Sequence, residues 1–294
     1  MRQLPSITIT QLDYLVAVAD APTWADAAAG LGVTPSALSQ GLAELERRLD
    51  FALFERQGRR RIVASRSAEV LAYARRVTAQ TADLARWIDD ARSGRAGSLR
   101  VGMIDAAALG HWPALLQEFR QTHPDLSLRL SIAPSGELLS QLLRDQLDLA
   151  VIVAPSEIPI GIGWIDLLTD PLAVYAPPNT PIGPPSTWGP WVSFPTTSHT
   201  RELIEAALDE LGVRFEVTSE SHQPEVLRAM VRLGMGWTVL PVIQAETGPH
   251  PLVRARTEPL VTRSLITARR EGALPHPMID EFEARLRESA SSTP

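Results

Sequence analysis

Cysteine and lysine are both absent from this chain of 294 residues. Without cysteine there can be no disulfide, no thiolate metal site, no cysteine nucleophile and no cysteine redox sensor. Six histidines are present, but none of them forms an HxxxH pair, so we expect no metal site. All 28 basic residues are arginine, which we attribute to codon usage rather than to mechanism.

Targeting segments and catalytic motifs are also missing. The first residues contain no apolar signal core, and no run of about eighteen apolar residues occurs, so we expect a cytoplasmic protein without a membrane partner. The sequence contains no nucleophile elbow, no P-loop and no dinucleotide fingerprint. Serine, histidine and aspartate occur without a motif that would combine them into a triad. We therefore expect no catalytic residue, no cofactor and no enzyme activity.

Charge is divided unevenly along the chain, although the net charge is −6. Residues 1–98 hold 13 arginines against 11 acids, whereas residues 99–294 hold 15 arginines against 23 acids. Five arginines fall within eleven residues that contain no acid: Arg56, Arg59, Arg60, Arg61 and Arg66. Because local fields govern approach to nucleic acid, the acidic remainder does not exclude DNA binding.

Residues 24–42 have the spacing of a helix-turn-helix. Ala28 precedes Gly32 by four residues, so a small side chain allows close helix packing and glycine allows a left-handed turn. Thr34 caps the second helix, and Pro35 takes its first position. An ordinary helical hairpin is the alternative interpretation.

The helix after this turn is predicted to run from Pro35 to about residue 49. It presents Ser36, Ser39 and Gln40 outward, where such side chains can bond to base edges or phosphates in a major groove. Residues 51–63 alternate apolar, Gly/Arg-rich and apolar segments, which predicts a small hairpin or wing. Arginines at its tip suit contacts to the DNA backbone or a narrow groove. A solvated loop is the alternative.

Helices are also predicted on both sides of this motif. Upstream, we expect Thr10 to cap a helix over residues 11–20 and Thr23 to cap the next. Downstream, residues 67–93 lack proline and glycine, and a heptad seam recurs in steps of four and three. Its positions are Val70, Ala74, Val77, Thr81, Leu84, Ile88 and Ala91. A helix of roughly 40 Å cannot bury such a stripe alone, so we expect dimerisation along it, with a hinge at residues 93–97.

Beyond Ser98, strands and helices alternate, which favours a parallel α/β sheet. Strands are predicted over residues 99–104, 126–132, 147–153, 172–175, 191–193, 215–218, 237–240 and 263–268. Helices are predicted over residues 112–122, 136–145, about 201–211, 224–233 and 278–287. Residues 289–294 are predicted to form a disordered tail.

This order of parts resembles the LysR-type transcriptional regulators. The resemblance rests on Ala27, Ala28, Leu31, Val33, Thr34, Ser36, Ala37, Ser39, Gln40, Leu45, Glu46, Leu49, Leu53, Phe54, Arg56, Arg59 and Arg60, and more weakly on Pro124, Asp125, Gly136, Leu147, Asp148, Gly234, Gly236, Leu240 and Pro241. It implies a multidomain protein, with an all-α winged helix-turn-helix domain at 1–65 and a linker helix for dimerisation at 66–93. Residues 94–294 would form a periplasmic-binding-protein-like α/β effector domain. Its two subdomains would hold about 99–166 with 263–288, and about 167–262.

The resemblance also implies function and partners. The chain would be a ligand-responsive transcriptional regulator whose partners are double-stranded promoter DNA, further copies in a homodimer or homotetramer, a small-molecule effector and RNA polymerase. The DNA contacts carried over from the family are Thr34, Pro35, Ser36, Ser39, Gln40, Arg56, Arg59 and Arg60.

The effector cleft is expected at the carboxyl ends of strands, the usual ligand position in α/β sheets. The candidates are Asp105, Ala106, Ser135, Gly136, Ser193, Phe194, Thr196, Thr197, Ser198, Ser221 and His222. Asp105 stands where the family often has Ser or Thr, and its charge would disfavour a carboxylate and favour an amine, hydroxyl or guanidinium. A capping or solvent-facing role is the alternative for Asp105, and simple N-capping is the alternative for the hydroxyl-rich segment 194–200.

Two other functions stay open at this point. The α/β half could be an enzyme or solute-binding domain that carries a DNA-binding head, because a fold does not determine a function. The chain could also be an architectural DNA-binding protein that works without an effector.

Overall fold

The computed structural model describes residues 6–57, 60–93 and 97–291, and for residues 57, 60 and 89–93 it describes the backbone alone. The chain divides into two compact units, Met1–Asp89 with Gly272–Leu274, and Asp90–Glu271 with Pro275–Pro294. None of the helices in the described ranges has both the length and the hydropathy needed to cross a membrane.

In the described part of the N-terminal unit there are four α-helices, a 3₁₀ helix at Ser65–Ser67 and one hairpin. The helices are α1 (Ile9–Asp20), α2 (Trp24–Gly30), α3 (Pro35–Leu49) and α4 (Ala68–Ser93). Strands β1 (Phe54–Gln57) and β2 (Arg60–Val63) pair antiparallel, with Phe54 opposite Val63. The predicted helix-turn-helix and hairpin are confirmed, and Gly32 adopts the left-handed φ of 67° that the turn requires.

Threonine side chains cap the N-termini of the first three helices. Thr34 Oγ1 accepts the Ala37 N–H at 3.1 Å, and Thr23 Oγ1 accepts the Asp26 N–H at 3.1 Å, as predicted. The predicted cap at Thr10 is wrong. Thr8 caps α1 instead, because its hydroxyl accepts the Gln11 N–H while the Gln11 side chain accepts the Thr8 N–H, which closes a capping box.

At Ala74 the predicted seam of α4 is covered by its own unit rather than by a second copy. Ala74 is fully buried in the core of the same unit, and Val70 and Val77 pack against that core. Helical periodicity marks a face that is covered, but it does not say which chain covers it. The later seam positions Thr81, Leu84 and Ile88 are exposed. The side chain of Ala91 and most of the predicted hinge lie outside the described residues.

Strands and helices alternate through the C-terminal unit. Its strands are β3 (Ser98–Met103), β4 (Ser127–Ile132), β5 (Leu149–Val153), β6 (Ile162–Tyr175), β7 (Trp191–Ser193), β8 (Val217–Glu220), β9 (Thr238–Pro241) and β10 (Val261–Arg270). Its helices are α5 (Pro113–Thr122), α6 (Ser135–Leu143), α7 (His199–Glu210), α8 (Pro224–Arg232), α9 (Val242–Ala245) and α10 (Pro277–Ser291).

The main sheet of this unit is mixed rather than parallel. Its order is β4-β3-β5-β10-β6-β9, and only the β4-β3-β5 part is parallel, as predicted for the whole sheet. Strand β10 runs antiparallel to both β5 and β6, because the chain re-enters the sheet from the opposite end. Strands β7 and β8 form a separate parallel pair.

Two hydrophobic cores lie within the C-terminal unit. The first contains buried residues from 99–162 and 265–286, and the second contains buried residues from 172–252. Strands β6 and β10 carry the chain from one core to the other and back. This double role explains why the sequence predicted only the last four residues of β6, since its two ends face different cores and no single alternation runs along it.

Two smaller corrections concern helices. The short helix α9 was not predicted, and four residues give little periodicity. Helix α10 continues to Ser291, so residues 289–291 are helical rather than disordered, and residues 292–294 lie outside the described ranges.

Candidate functional site

The first turns of α3 present a row of polar side chains. Pro35, Ser36, Ser39 and Gln40 are exposed, as is the cap residue Thr34. The opposite face of the helix is anchored by fully buried leucines at positions 38, 42 and 45. The proposed DNA contacts on α3 therefore share one exposed face on a rigidly packed helix.

The hairpin carries arginines with different roles. Arg56 is exposed on β1, directly opposite Arg61 on β2. The Arg61 guanidinium lies over the Trp24 and Phe54 rings, at 5.0 and 4.7 Å from their centroids, and its Nη2 is 2.8 Å from Glu46 Oε2. Arg61 therefore fastens the hairpin to the helices. Arg59 and the Arg60 side chain lie outside the described residues.

In the later part of α3, two arginines form ion pairs with a glutamate of the same helix. Hydrogen bonds from Arg47 and then Arg48 lower the pKa of Glu44 to about 2. The Arg47 Nη2 lies 2.5 Å from Glu44 Oε1, and the Arg48 Nε lies 2.6 Å from the same oxygen. Arg47 and Arg48 are therefore paired on α3, whereas Arg56 on the hairpin is exposed.

A cavity of about 310 Å³ lies between the two cores of the C-terminal unit. Eight of the eleven predicted effector residues line it: Asp105, Ala106, Ser135, Gly136, Phe194, Thr197, Ser198 and His222. The other three do not. Ser193 is buried within the second core, Thr196 faces solvent, and Ser221 Oγ accepts the Gln223 N–H in a turn.

Other lining residues escaped sequence analysis. They include Glu137, His199, Thr200, Gln244 and Arg263. An arginine inside an apolar strand was a usable signal for Arg263, because a buried charge in a strand requires a specific partner. Gln244 gave no comparable signal, since it belongs to the four-residue helix α9.

Asp105 and Gln244 both line the cavity and form a hydrogen bond to each other, although 139 positions separate them in the chain. The Gln244 Nε2 donates to Asp105 Oδ1, and the Gln244 Oε1 is buried without a hydrogen-bond partner among the described residues. Burial raises the pKa of Asp105, although the Gln244 bond and the Arg263 charge oppose that shift. Asp105 is the N-cap residue of a π-helix at Ala106–His111 and makes no side-chain cap bond to it, so the capping alternative has no support.

A buried network behind the cavity holds Arg263. Its Nε and Nη2 donate to Asp170 Oδ2 at 2.9 and 2.7 Å, and its Nη1 donates to Thr200 Oγ1 at 2.9 Å. The Asp170 carboxylate is fully buried and also lies 3.2 Å from His111 Nε2. Burial alone would raise the pKa of Asp170, but the His111 hydrogen bond and the Arg263 charge outweigh it and lower that pKa.

Three helices start at the cavity: α6, α7 and α8. Their N-cap residues are Pro134, Ser198 and Gln223, and none of them makes a side-chain cap bond. Ser198 therefore does not play the capping role considered for segment 194–200. The first N–H groups of a helix have no intrahelical acceptor, so three positive helix ends converge on one cavity.

Comparisons with known proteins agree with both units. Residues 92–291 match the family model described as the LysR substrate binding domain, and residues 9–69 match that of the bacterial regulatory helix-turn-helix protein, lysR family. A probable nitrogen assimilation transcriptional activator from Synechococcus elongatus is 26% identical over 296 residues, which cover 97% of this chain and 96% of that protein.

Solved structures are similar over nearly the whole length. Full-length OxyR from Pseudomonas aeruginosa has a TM-score of 0.62 at 22% identity and covers 97% of this chain and 95% of its own. Full-length CbnR in complex with its target DNA has a TM-score of 0.58 at 20% identity, and the match covers 96% of this chain and 100% of the CbnR chain. The predicted fold class, a winged helix-turn-helix joined to a two-subdomain α/β effector domain, is confirmed.

Proposed function

This chain belongs to the LysR family of transcriptional regulators, and we propose that the cavity of its C-terminal unit controls how its N-terminal unit binds promoter DNA. The observation that carries the ligand-responsive part is the cavity itself, which the hydrogen-bonded pair Asp105 and Gln244 lines. The Gln244 Oε1 beside it is buried without a hydrogen-bond partner among the described residues, and buried polar groups are normally satisfied by protein, water or ligand. A ligand that binds two arrangements of the protein differently shifts its DNA affinity.

Coupling is tested by measuring DNA affinity with the cavity empty and filled. The full chain is titrated onto a duplex selected from a random pool, by fluorescence anisotropy, with and without each compound that stabilises the protein. We expect at least one such compound to change the dissociation constant. If every stabilising compound leaves DNA affinity unchanged, the ligand-responsive part is wrong.

DNA contact is assigned to the exposed row on α3 and to the hairpin. Ser36 and Gln40 would lie nearest the bases, whereas Arg56 would neutralise a phosphate. Arg59 and Arg60 stay predictions from the family resemblance. Replacing Gln40 with alanine should change sequence preference, while Arg56→Ala should weaken binding to all sequences and reduce the salt slope by about one unit.

Salt titration of three proteins tests the hairpin assignment. Wild type and Arg56→Ala are compared with Arg214→Ala, which removes the same charge from an exposed position of the C-terminal unit. We expect a reduced slope only for Arg56→Ala. Equal slopes for wild type and Arg56→Ala would contradict the assignment.

Self-association is proposed along the exposed face of α4. This face carries large apolar side chains at Tyr73, Leu84, Trp87 and Ile88, and a second copy of the same helix would bury them. A homodimer or homotetramer follows, and contact with RNA polymerase stays a prediction. Leu84→Arg should shift sedimentation toward the monomer, whereas Ala85→Arg, outside this apolar face, should not.

The two alternative functions predict different screening results. Stabilisation by a metabolite without turnover supports the regulator, and turnover supports an enzyme with a DNA-binding head. Failure of every compound to stabilise the protein would favour an architectural protein. We propose that the chain acts as a regulator rather than an enzyme, because the proteins similar to it are transcriptional regulators.

A further inference from the structure

The residues that line the cavity offer two kinds of polar group. The first turns of α6, α7 and α8 open onto it, and the N-cap residues of these helices make no side-chain cap bond. Asp105 and Gln244 also line it, and the Asp105 carboxylate accepts hydrogen bonds. The helix starts therefore suit an anion, and Asp105 suits a group rich in donors.

A buried partner holds the Asp105 carboxylate in place. The Gln244 side chain is only 7% exposed, and its Nε2 donates to Asp105 Oδ1. The Gln244 Oε1 is buried and has no hydrogen-bond partner among the described residues. A ligand donor that binds the carboxylate would compensate its charge, and a small movement of the neighbouring amide would let Oε1 accept a second hydrogen bond.

Arg263 brings positive charge near Asp105, but among the described residues it makes no hydrogen bond to that carboxylate. Its guanidinium lines the cavity, but its donors are directed to Asp170 and Thr200 in the wall behind. Glu137, which also lines the cavity, adds a second acid. A neutral hydroxyl would give the half-buried Asp105 a weaker hydrogen bond than an ammonium or guanidinium group, and a carboxylate placed there would be repelled.

We propose that the cavity binds a small zwitterion, with an ammonium or guanidinium group on Asp105 and Gln244 and a carboxylate at the open helix ends. This inference rests on the proposed ligand-responsive function and specifies its ligand class. The volume of about 310 Å³ is at the lower end for small-molecule sites, which fits a ligand of amino-acid size.

Matched ligand sets test this assignment. Isothermal titration calorimetry on the full chain compares the standard L-amino acids with the amines that lack the carboxylate and the 2-hydroxy acids that lack the amine. We expect at least one amino acid to bind, and both of its partial analogues to bind about tenfold or more weakly. If no amino acid binds, or if the hydroxy acid binds as tightly as the amino acid, the proposal is overturned.

Variants test whether Asp105 and Gln244 bind the donor group of the ligand. Asp105→Asn keeps the side-chain size and an acceptor but removes the charge, so the amino acid that binds wild type should bind about 10- to 100-fold more weakly. Gln244→Met should also weaken it. The control is Glu157→Gln, an exposed acid outside the cavity, which should bind like wild type. Unchanged affinity in Asp105→Asn overturns the proposal.

Failure of this inference is distinguishable from failure of the proposed function. If a dicarboxylate or another class without an amine binds and changes DNA affinity, the regulatory function stands and the zwitterion assignment is wrong. If an amino acid binds as expected but DNA affinity does not change, the assignment stands and the coupling is wrong.

Discussion

Helices of the two units begin in different ways. In the N-terminal unit, α1, α2 and α3 start at threonines whose hydroxyls accept a backbone N–H. In the C-terminal unit, α6, α7 and α8 start at residues that make no such bond, and all three starts face the cavity. At a capped start, the side chain of the N-cap residue accepts a hydrogen bond from a backbone N–H of the first turn. At an uncapped start, that N–H stays available to a ligand.

The two units also differ in where charge is satisfied. On α3, Glu44 and its arginines are paired at the surface, where water screens them. Behind the cavity, Asp170 and Arg263 are paired with almost no solvent contact. The effects of substitutions on the free energy of unfolding should therefore differ between the two units in size and even in sign.

The largest effect is expected for Arg263→Met. This change removes the guanidinium from the buried Asp170 carboxylate and leaves His111 as its remaining partner among the described residues, and breaking a buried ion pair costs about 3–5 kcal/mol. Urea unfolding of the full chain, followed by tryptophan fluorescence, measures the loss. The matched control is Arg214→Met at an exposed ion pair, which should cost less than about 1 kcal/mol. Equal losses in the two variants would contradict a structural role for the network.

A smaller effect is expected at the turn between α2 and α3. Gly32→Ala forces a side chain into the left-handed region and should cost about 1–2 kcal/mol. Gly30, two residues earlier, lies in α2 with open space where a Cβ would stand. Gly30→Ala should therefore be neutral or stabilising by up to about 1 kcal/mol. Calorimetric unfolding of both variants checks this difference, and a loss in Gly30→Ala as large as in Gly32→Ala would refute the turn argument.

The caps themselves can be compared directly. Thr34→Ala removes the hydroxyl that accepts the Ala37 N–H and should destabilise the N-terminal unit by about 1 kcal/mol. Ser198→Ala removes a hydroxyl that makes no cap bond, so without ligand its effect should stay within about 0.5 kcal/mol of zero. Thermal unfolding of the unliganded variants measures both, and the comparison fails if Ser198→Ala costs as much as Thr34→Ala.

The smallest effect should have the opposite sign. Burial raises the folded-state pKa of Asp105, so the ionised side chain opposes folding at neutral pH and this cost vanishes as the pH falls below the ordinary range of aspartate. Asp105→Asn should therefore raise the melting temperature of the unliganded protein at neutral pH and lose that advantage in acid. Asp209→Asn, at an exposed position, is the control and should not raise the melting temperature. A lower melting temperature for Asp105→Asn at neutral pH would contradict the pKa argument.

Sequence predicted the N-terminal unit well because its determinants are local. The bounds of α3 follow from Thr34, Pro35 and the leucine spacing, all within one segment. The Thr10 error arose because two threonines stand two residues apart and only the bond to Gln11 distinguishes them. The seam error at Ala74 has a different cause, since periodicity cannot tell a neighbouring helix of the same chain from a second copy.

The cavity was predictable only in part for the same reason. Loop ends such as Ser135 and Ser198 follow predicted strands, so their positions could be inferred. The Asp105–Gln244 bond joins segments 139 residues apart, and no local pattern announces it. The mixed sheet was missed because strand direction in β10 depends on the route of the whole chain rather than on its own residues.

Strands β6 and β10 have a mechanical consequence. They form a two-stranded ribbon between the cores, with Arg263 directly opposite Asp170 and an irregular register between Leu265 and Ile266. Two paired strands bend more easily than packed layers slide past each other. A bulge concentrates the bend at one place. The cross-strand ion pair stiffens the ribbon a few residues from that place. Bending at this irregular register would change the separation of the two cores while leaving the packing within each core intact.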